Sequence, residues 1–460
     1  MSLFGELRYR FELAKWKRRA RRKHKPRIRI GRTASLFAAM DAAEIRYVVL
    51  RWFDELPTSD EEAARFDGDL DLLMDHRDLE AFCRVVAAHA GRIPVDLYSD
   101  SVRLGTGYKR LPYYPPHLAA QILEARVKDE RGFWRPADEV YLLSLAYHLV
   151  YHKGIYAGLP TGCVPAAEDS ASGTSAYAAS ASATSAHAAS ASREAGHLYP
   201  APVASAPAPA ASAHEVQGEL RQLYVKLGMV PPEEFTLLSL YRLLKERQWD
   251  MPYDLLCRWP RRNDWHAYLV ELEEEDFGEL LGGTRDLLVF LIREDAVEAG
   301  LREAVLDKLR SRFEILDTVA LSGEQQARVT ARTRGGNWIE KKGTLVVKPA
   351  LAVVCFDPAP QAITDHELAK KHPRVRNQNV FYKHQVRKEI MAEHAGVDYL
   401  LHGSDNDFES MEYLIALYGR EGAIAFLQSG AGDGAGAEVN QESEPEPEAG
   451  KRADEVGHES

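Results

Sequence analysis

The chain has 460 residues, of which 45% are hydrophobic and 28% charged, enough for two or three cores and too mixed for a fibrous or wholly disordered protein. Its four cysteines, Cys83, Cys163, Cys257 and Cys355, lack CxxC spacing, so neither a disulfide framework nor a cysteine zinc site is supported. The net charge of −11 is a poor match to nucleic acid, and no strong nucleic-acid signal is present.

That charge is unevenly spread. Residues 8–33 hold thirteen Lys/Arg and one Glu, residues 429–460 hold nine acids and two bases, and the remainder carries −16. Residues 1–33 therefore read as a basic N-terminal arm. As a helix it would set Phe4, Leu7 and Phe11 beside Arg and Lys, the pattern of a helix lying on an anionic membrane surface. The alternative is a basic arm packed on its own acidic body. No apolar run reaches the roughly 18 residues of a membrane span, and the opening segment lacks the apolar core of a signal peptide, so a cytoplasmic setting is expected.

Along residues 34–160, strands are expected at 47–50, 69–74 and 94–98. A helix on Leu79, Phe82, Cys83 and Val86 falls between the second and third. From Pro116 the pattern turns helical, through 118–127 and then 140–154. Residues 161–215, mostly Ala, Ser and Pro, offer few large apolar side chains and read as a disordered linker. The helical lobe resumes over 216–283. Residues 284–428 alternate strands at 286–292, 315–321, 351–356 and 398–401 with helices, and Asn406 can cap the last helix with Glu409 at capping-box spacing. This βαββαβ order predicts an antiparallel ferredoxin-like sheet with helices on one side. Residues 429–460 read as a disordered acidic tail. The fold class is α+β.

Asp69 and Asp71 alternate on a strand, so their carboxylates share a face, and Asp96 on the next strand can join them. Side-by-side carboxylates repel unless a cation sits between them, and oxygen-only ligands suit Mg²⁺ shared with substrate phosphates. The bland alternative is a strand edge with solvated aspartates. His148 and His152, four apart on a helix, lack a third ligand at motif spacing and favour a structural or substrate-contact role.

The arrangement of Asp69-Leu70-Asp71-Leu72 followed by Asp96 resembles the nucleotidyltransferase superfamily of DNA polymerase beta type, over about residues 40–160. The resemblance implies that Asp69 and Asp71 hold metal and that Asp96 is the third acid, a ligand or the base for the incoming hydroxyl. The family's Gly-Ser turn has no counterpart; the loop reads Arg51-Trp52-Phe53-Asp54, and Arg51 is the candidate phosphate clamp in its place.

Residues 284–428 resemble nucleoside diphosphate kinase. Leu401-His402-Gly403-Ser404-Asp405 followed by Glu409-Ser410, the stretch Phe290–Val297 and the segment Val386-Arg387-Lys388-Glu389 carry that likeness. It implies that His402 attacks the γ-phosphate of a nucleoside triphosphate, with Arg387 as clamp and Arg293 where the family has a lysine. Arg374 and Arg376 are further candidate phosphate contacts. Tyr399 replaces a family asparagine, and the glutamate that orients the histidine falls on Leu414, two residues after Glu412. The expectation is a nucleotide-dependent phosphotransferase with a second, Mg²⁺-dependent nucleotidyltransferase-like site. Its partners would be a nucleoside triphosphate, an unidentified acceptor and, by family habit, further copies of itself. The alternative is a non-catalytic nucleotide-binding sensor or scaffold.

Overall fold

The structure is a computed structural model and describes residues 3–22, 27–57, 60–66, 68–101, 103–107, 111–162, 213–259, 264–333, 347–394, 397 and 400–429. Apart from a few terminal residues, the expected linker and acidic tail lie outside them. The chain is a mixed α+β protein with two four-stranded sheets and a helical lobe between them.

The first module runs α1 (Leu3–Arg21), β1 (Ile28–Ile30), α2 (Thr33–Ala42), β2 (Tyr47–Val49), α3 (Asp60–Arg65), β3 (Leu70–Met74), α4 (Leu79–Ala88) and β4 (Ile93–Ser99). Its sheet is ordered β1–β4–β3–β2, with β3 and β4 parallel and both outer pairings antiparallel. The central strand β3 is buried at every position, which fits its nearly continuous apolar sequence. The basic segment is part of this module. Helix α1 buries Tyr9 and Trp16, sets Trp16 6.3 Å from Phe82 of α4, and pairs Glu6 with Arg84 and Lys17 with Glu80. On its opposite face Leu7 and Phe11 stay 59% and 68% exposed; the Phe4 side chain lies outside the described residues. Where β1 meets the turn into β4, a Cβ on Gly91 would lie 2.1 Å from the Gly31 Cα, so the approach of the two backbones requires glycine.

The lobe comprises α5 (Pro116–Glu124), a hairpin of β5 (Arg126–Lys128) and β6 (Trp134–Pro136), and α6 (Asp138–Tyr147). After the linker come α7 (Ala213–Lys226), α8 (Leu237–Glu246), α9 (Tyr253–Arg258) and α10 (Asp264–Leu281). The helix expected through residue 127 stops at Glu124. β-Branched Val127 pairs instead with Arg135 across a turn whose Gly132 adopts φ +89°. Helix α6 continues into a π-helical turn, His148–Lys153. Trp265 and His266 of α10 bond the carbonyls of Val150 and Tyr151, which buttresses that irregular turn.

The last module runs β7 (Leu287–Arg293), α11 (Glu294–Glu298), α12 (Arg302–Arg310), β8 (Glu314–Ala320) and α13 (Gly323–Arg332). It continues with β9 (Pro349–Phe356), α14 (His366–Lys371), α15 (Tyr382–Glu393), β10 (Leu401–Gly403) and α16 (Asp407–Gln428). The sheet is antiparallel throughout and ordered β10–β7–β9–β8. The expectation of helices on one side is corrected. Leu288, Phe290 and Ile292 pack with residues of α12 and α15. Leu287, Val289 and Leu291 pack with residues of α10, α13 and α16. Both faces of β7 are apolar, so both must be covered, and the helix between β8 and β9 supplies part of the second layer.

Candidate functional site

The parallel register of β3 and β4 sets Asp71 directly opposite Asp96. Asp69, two residues before Asp71, falls on the same face. Ligand oxygens of all three acids lie within 4.8 Å of one another. Asp71 is buried, Asp96 is half-buried, and Asp69 stands at the exposed mouth. Burial of its inner side, and then the charge of Asp96, push the Asp69 carboxyl above the usual aspartate range, with Arg51 offsetting part of the effect. Three crowded carboxylates form a hard, all-oxygen donor set, the chemistry that a divalent cation relieves.

Arg51 begins the loop after β2. Its Nη2 lies 2.9 Å from Asp71 Oδ2, with the two side chains 4% and 9% exposed. The same nitrogen donates to the Tyr113 hydroxyl at 3.2 Å, and the guanidinium lies 5.5 Å from the centre of that ring. Burial opposes the charge on Arg51, but Asp71 together with Tyr113, Tyr114 and Tyr98 outweighs that cost and holds its pKa above the ordinary arginine value. The loop arginine expected to clamp phosphate is thus committed on one side to a metal-ligand candidate. Its Nη1 is buried and donates to no acceptor among the described residues.

The lobe holds this arrangement from behind. The Tyr113 hydroxyl lies 2.5 Å from His148 Nδ1, and Tyr113 stacks on His152 at a ring separation of 3.6 Å. His152 Nε2 bonds the Tyr113 carbonyl at 2.9 Å. Tyr98, 3.9 Å from Tyr113 between ring centres, donates to Asp96 Oδ2 at 3.1 Å. The two histidines therefore reach the acids through tyrosines. Sequence spacing did not reveal Tyr98 or Tyr113; the signal available was the density of Tyr and His around the 140–154 helix.

At the other end of the same strands, Asp75, His76 and Asp100 also cluster within 4.8 Å. Arg77 already pairs with Asp75 at 2.9 Å, and the His76 Nδ1 lies 2.8 Å from Asp100.

In the last module His402 is the middle residue of β10 and pairs with Leu291, which places it on the face toward α16. Its Nε2 lies 3.0 Å from the Tyr413 hydroxyl, which donates to Glu409 Oε1 at 3.2 Å. Glu409 Oε2 accepts from the Asp405 amide at 2.7 Å, and Asn406 caps the helix by accepting from the Glu409 amide at 2.9 Å. Tyr413 was not anticipated as a partner. Its signal was the i, i+4 spacing from Glu409 on the helix that follows the histidine.

The four candidate phosphate arginines are each engaged separately. Arg293 is buried on the Val347 carbonyl, and Arg387 donates to the Leu401 carbonyl at 2.6 Å from α15. Arg374 lies against Tyr253 and Asp254, and Arg376 lies over Phe408. Leu414 belongs to the core. Glu412 accepts from the Tyr253 amide at 3.0 Å and meets Arg332 at 3.1 Å, away from His402. Tyr399 lies outside the described residues. No helix among the described residues is long and apolar enough to cross a membrane.

Compared with known proteins, the chain matches no family model, no curated protein and no solved structure at a significant level.

Proposed function

We propose that the chain is a Mg²⁺-dependent nucleotidyltransferase that uses a nucleoside triphosphate at Asp69, Asp71 and Asp96. One observation carries this reading: three carboxylates from a strand and its parallel neighbour converge within 4.8 Å. Arg51 offsets one of the three charges, and keeping the other two so close on a well-packed sheet is costly without a further cation. Asp69 and Asp71 would hold the ion, which when bound supplies charge neutralisation for the triphosphate and the departing pyrophosphate. Asp96, fixed by Tyr98, takes the proton of the acceptor hydroxyl as that oxygen bonds the α-phosphorus and the bond to the β-phosphate oxygen breaks.

The test is pyrophosphate release and transfer of α-³²P label from each nucleoside triphosphate with Mg²⁺, using wild type, Asp69→Asn and Asp96→Asn. Metal-dependent release lost in both variants is expected. Binding of nucleotide and metal without any pyrophosphate would replace this reading with that of a non-catalytic nucleotide sensor.

A second reading rests on the His402–Tyr413–Glu409 chain of hydrogen bonds. An imidazole held in one orientation by a carboxylate-anchored hydroxyl suits a phosphoryl-accepting nucleophile. The donor's γ-phosphorus would pass to an imidazole nitrogen, with the nucleoside diphosphate as leaving group. Labelling from γ-³²P-ATP and Mg²⁺, acid-labile and absent in His402→Ala, is the expected result; label retained in that variant would dismiss it.

A further inference from the structure

We infer that Arg51 is a resident cation of the acid cluster and limits it to a single divalent metal ion. The inference rests on the nucleotidyl-transfer reading. Asp71 is the central acid, since it lies two residues from Asp69 and in register with Asp96. It is therefore the residue placed to bridge two cations, which in two-metal sites stand about 3.5–4 Å apart. A second ion beside Asp71 would have to share its two oxygens with any cation already there, and like charges that close repel. One of those oxygens, Oδ2, is already held by Arg51 Nη2 at 2.9 Å.

The arginine is not a mobile surface group that steps aside. Its side chain is 4% exposed, it donates to Tyr113, and Tyr113 is locked by His148 and His152. Moving it would strip a buried, permanently charged group of its partner.

Charge leads to the same conclusion. Three carboxylates and one guanidinium sum to −2, which one divalent ion balances. Before a triphosphate arrives, a second would leave a partly buried cluster at +2. A buried guanidinium donor without an acceptor is costly, and it leaves the charge of Arg51 dependent on Asp71.

The experiment is Mn²⁺ binding to the full chain, read by electron paramagnetic resonance, with Mn²⁺ alone and with an α,β-imido analogue of ATP. An Asp69→Asn/Asp96→Asn double variant provides the background. Wild type should hold about one magnetically isolated Mn²⁺ per chain, and Arg51→Met should hold about two that are spin-coupled. Coupled pairs in wild type would overturn the inference while leaving the metal centre standing. Arg51→Met that folds, by circular dichroism, and still binds one ion would also overturn it. Binding no stronger than the double variant would remove the metal centre itself, and the nucleotidyl-transfer reading with it. If Arg51→Met does not fold, the count and coupling in wild type decide.

Discussion

The Tyr413 hydroxyl lies 3.0 Å from Nε2 of His402 and is itself anchored to Glu409. Tyr413 holds Nε2, so attachment of a phosphoryl group there would have to displace its hydroxyl from the imidazole. Any phosphohistidine at His402 is therefore predicted to be the Nδ1-linked isomer. Isomer-specific antibodies or ³¹P spectra of the denatured, base-stabilised protein would check this. Tyr413→Phe should lower the rate of labelling about 10- to 100-fold, the scale for losing one hydrogen bond of 1.5–3 kcal/mol at a charged group. Nε2-linked product in wild type would contradict the assignment.

The buried pair of Arg51 and Asp71 makes an asymmetric stability prediction. Asp71→Asn leaves the guanidinium in place with its countercharge gone, and breaking a buried pair in this way costs about 3–5 kcal/mol. Arg51→Met combined with Asp71→Asn removes both charges and should recover most of that loss. Urea denaturation of wild type and both variants gives the comparison. Equal stabilities for the single and double variants would show that the pair does not hold this part of the fold.

The sequence carried the strands and the acid cluster because both depend on local alternation. Asp69, just ahead of β3, and Asp71 within it are two apart, and the apolar residues between and after them are buried. Asp96 was legible because it lies at the centre of β4. The partnership of Arg51 and Asp71 was not legible, since it joins a loop to a strand twenty residues on and depends on Tyr113 from beyond the sheet. The four arginines of the last module failed to gather for a similar reason. Their neighbours are set by tertiary packing, so proximity in a family pattern did not fix where the guanidinium groups would point. The second helical layer was also hidden, although the unbroken apolar run of β7 was its signal.

Asn406 begins α16 and so sets the frame for both Glu409 and Tyr413. Its side chain accepts from the Glu409 amide, while Glu409 reaches back to Asp405. Asn406→Ala should cost about 1 kcal/mol through the lost cap, whereas Asn406→Asp should be close to neutral. The check is thermal denaturation of each variant, with hydrogen exchange at the first turn of α16. An unchanged exchange rate in the alanine variant would mean that packing alone fixes the helix start.

Glu412 ties the last module to the lobe, and it does so with a displaced proton equilibrium. Arg332 lies 2.8 Å from Asp250 and 3.1 Å from Glu412, while Lys245 serves Glu273 at 2.7 Å. Burial opposes charge on Asp250, but Arg332 and Lys245 outweigh it and keep that carboxyl below its ordinary value. Glu412 is pushed up to about 8 by burial, which Arg332 only partly offsets. The folded state thus binds a proton that the unfolded state releases near 4.5. The stability tied to this proton is complete below about 4.5 and is lost as pH rises through about 8. Melting temperature should therefore fall between pH 6 and pH 9, and Glu412→Gln, uncharged throughout, should flatten that slope. In a domain of 150–250 residues each kcal/mol amounts to about 2–4 °C, within reach of a thermal scan. Parallel slopes for wild type and Glu412→Gln would mean that another group titrates at the junction.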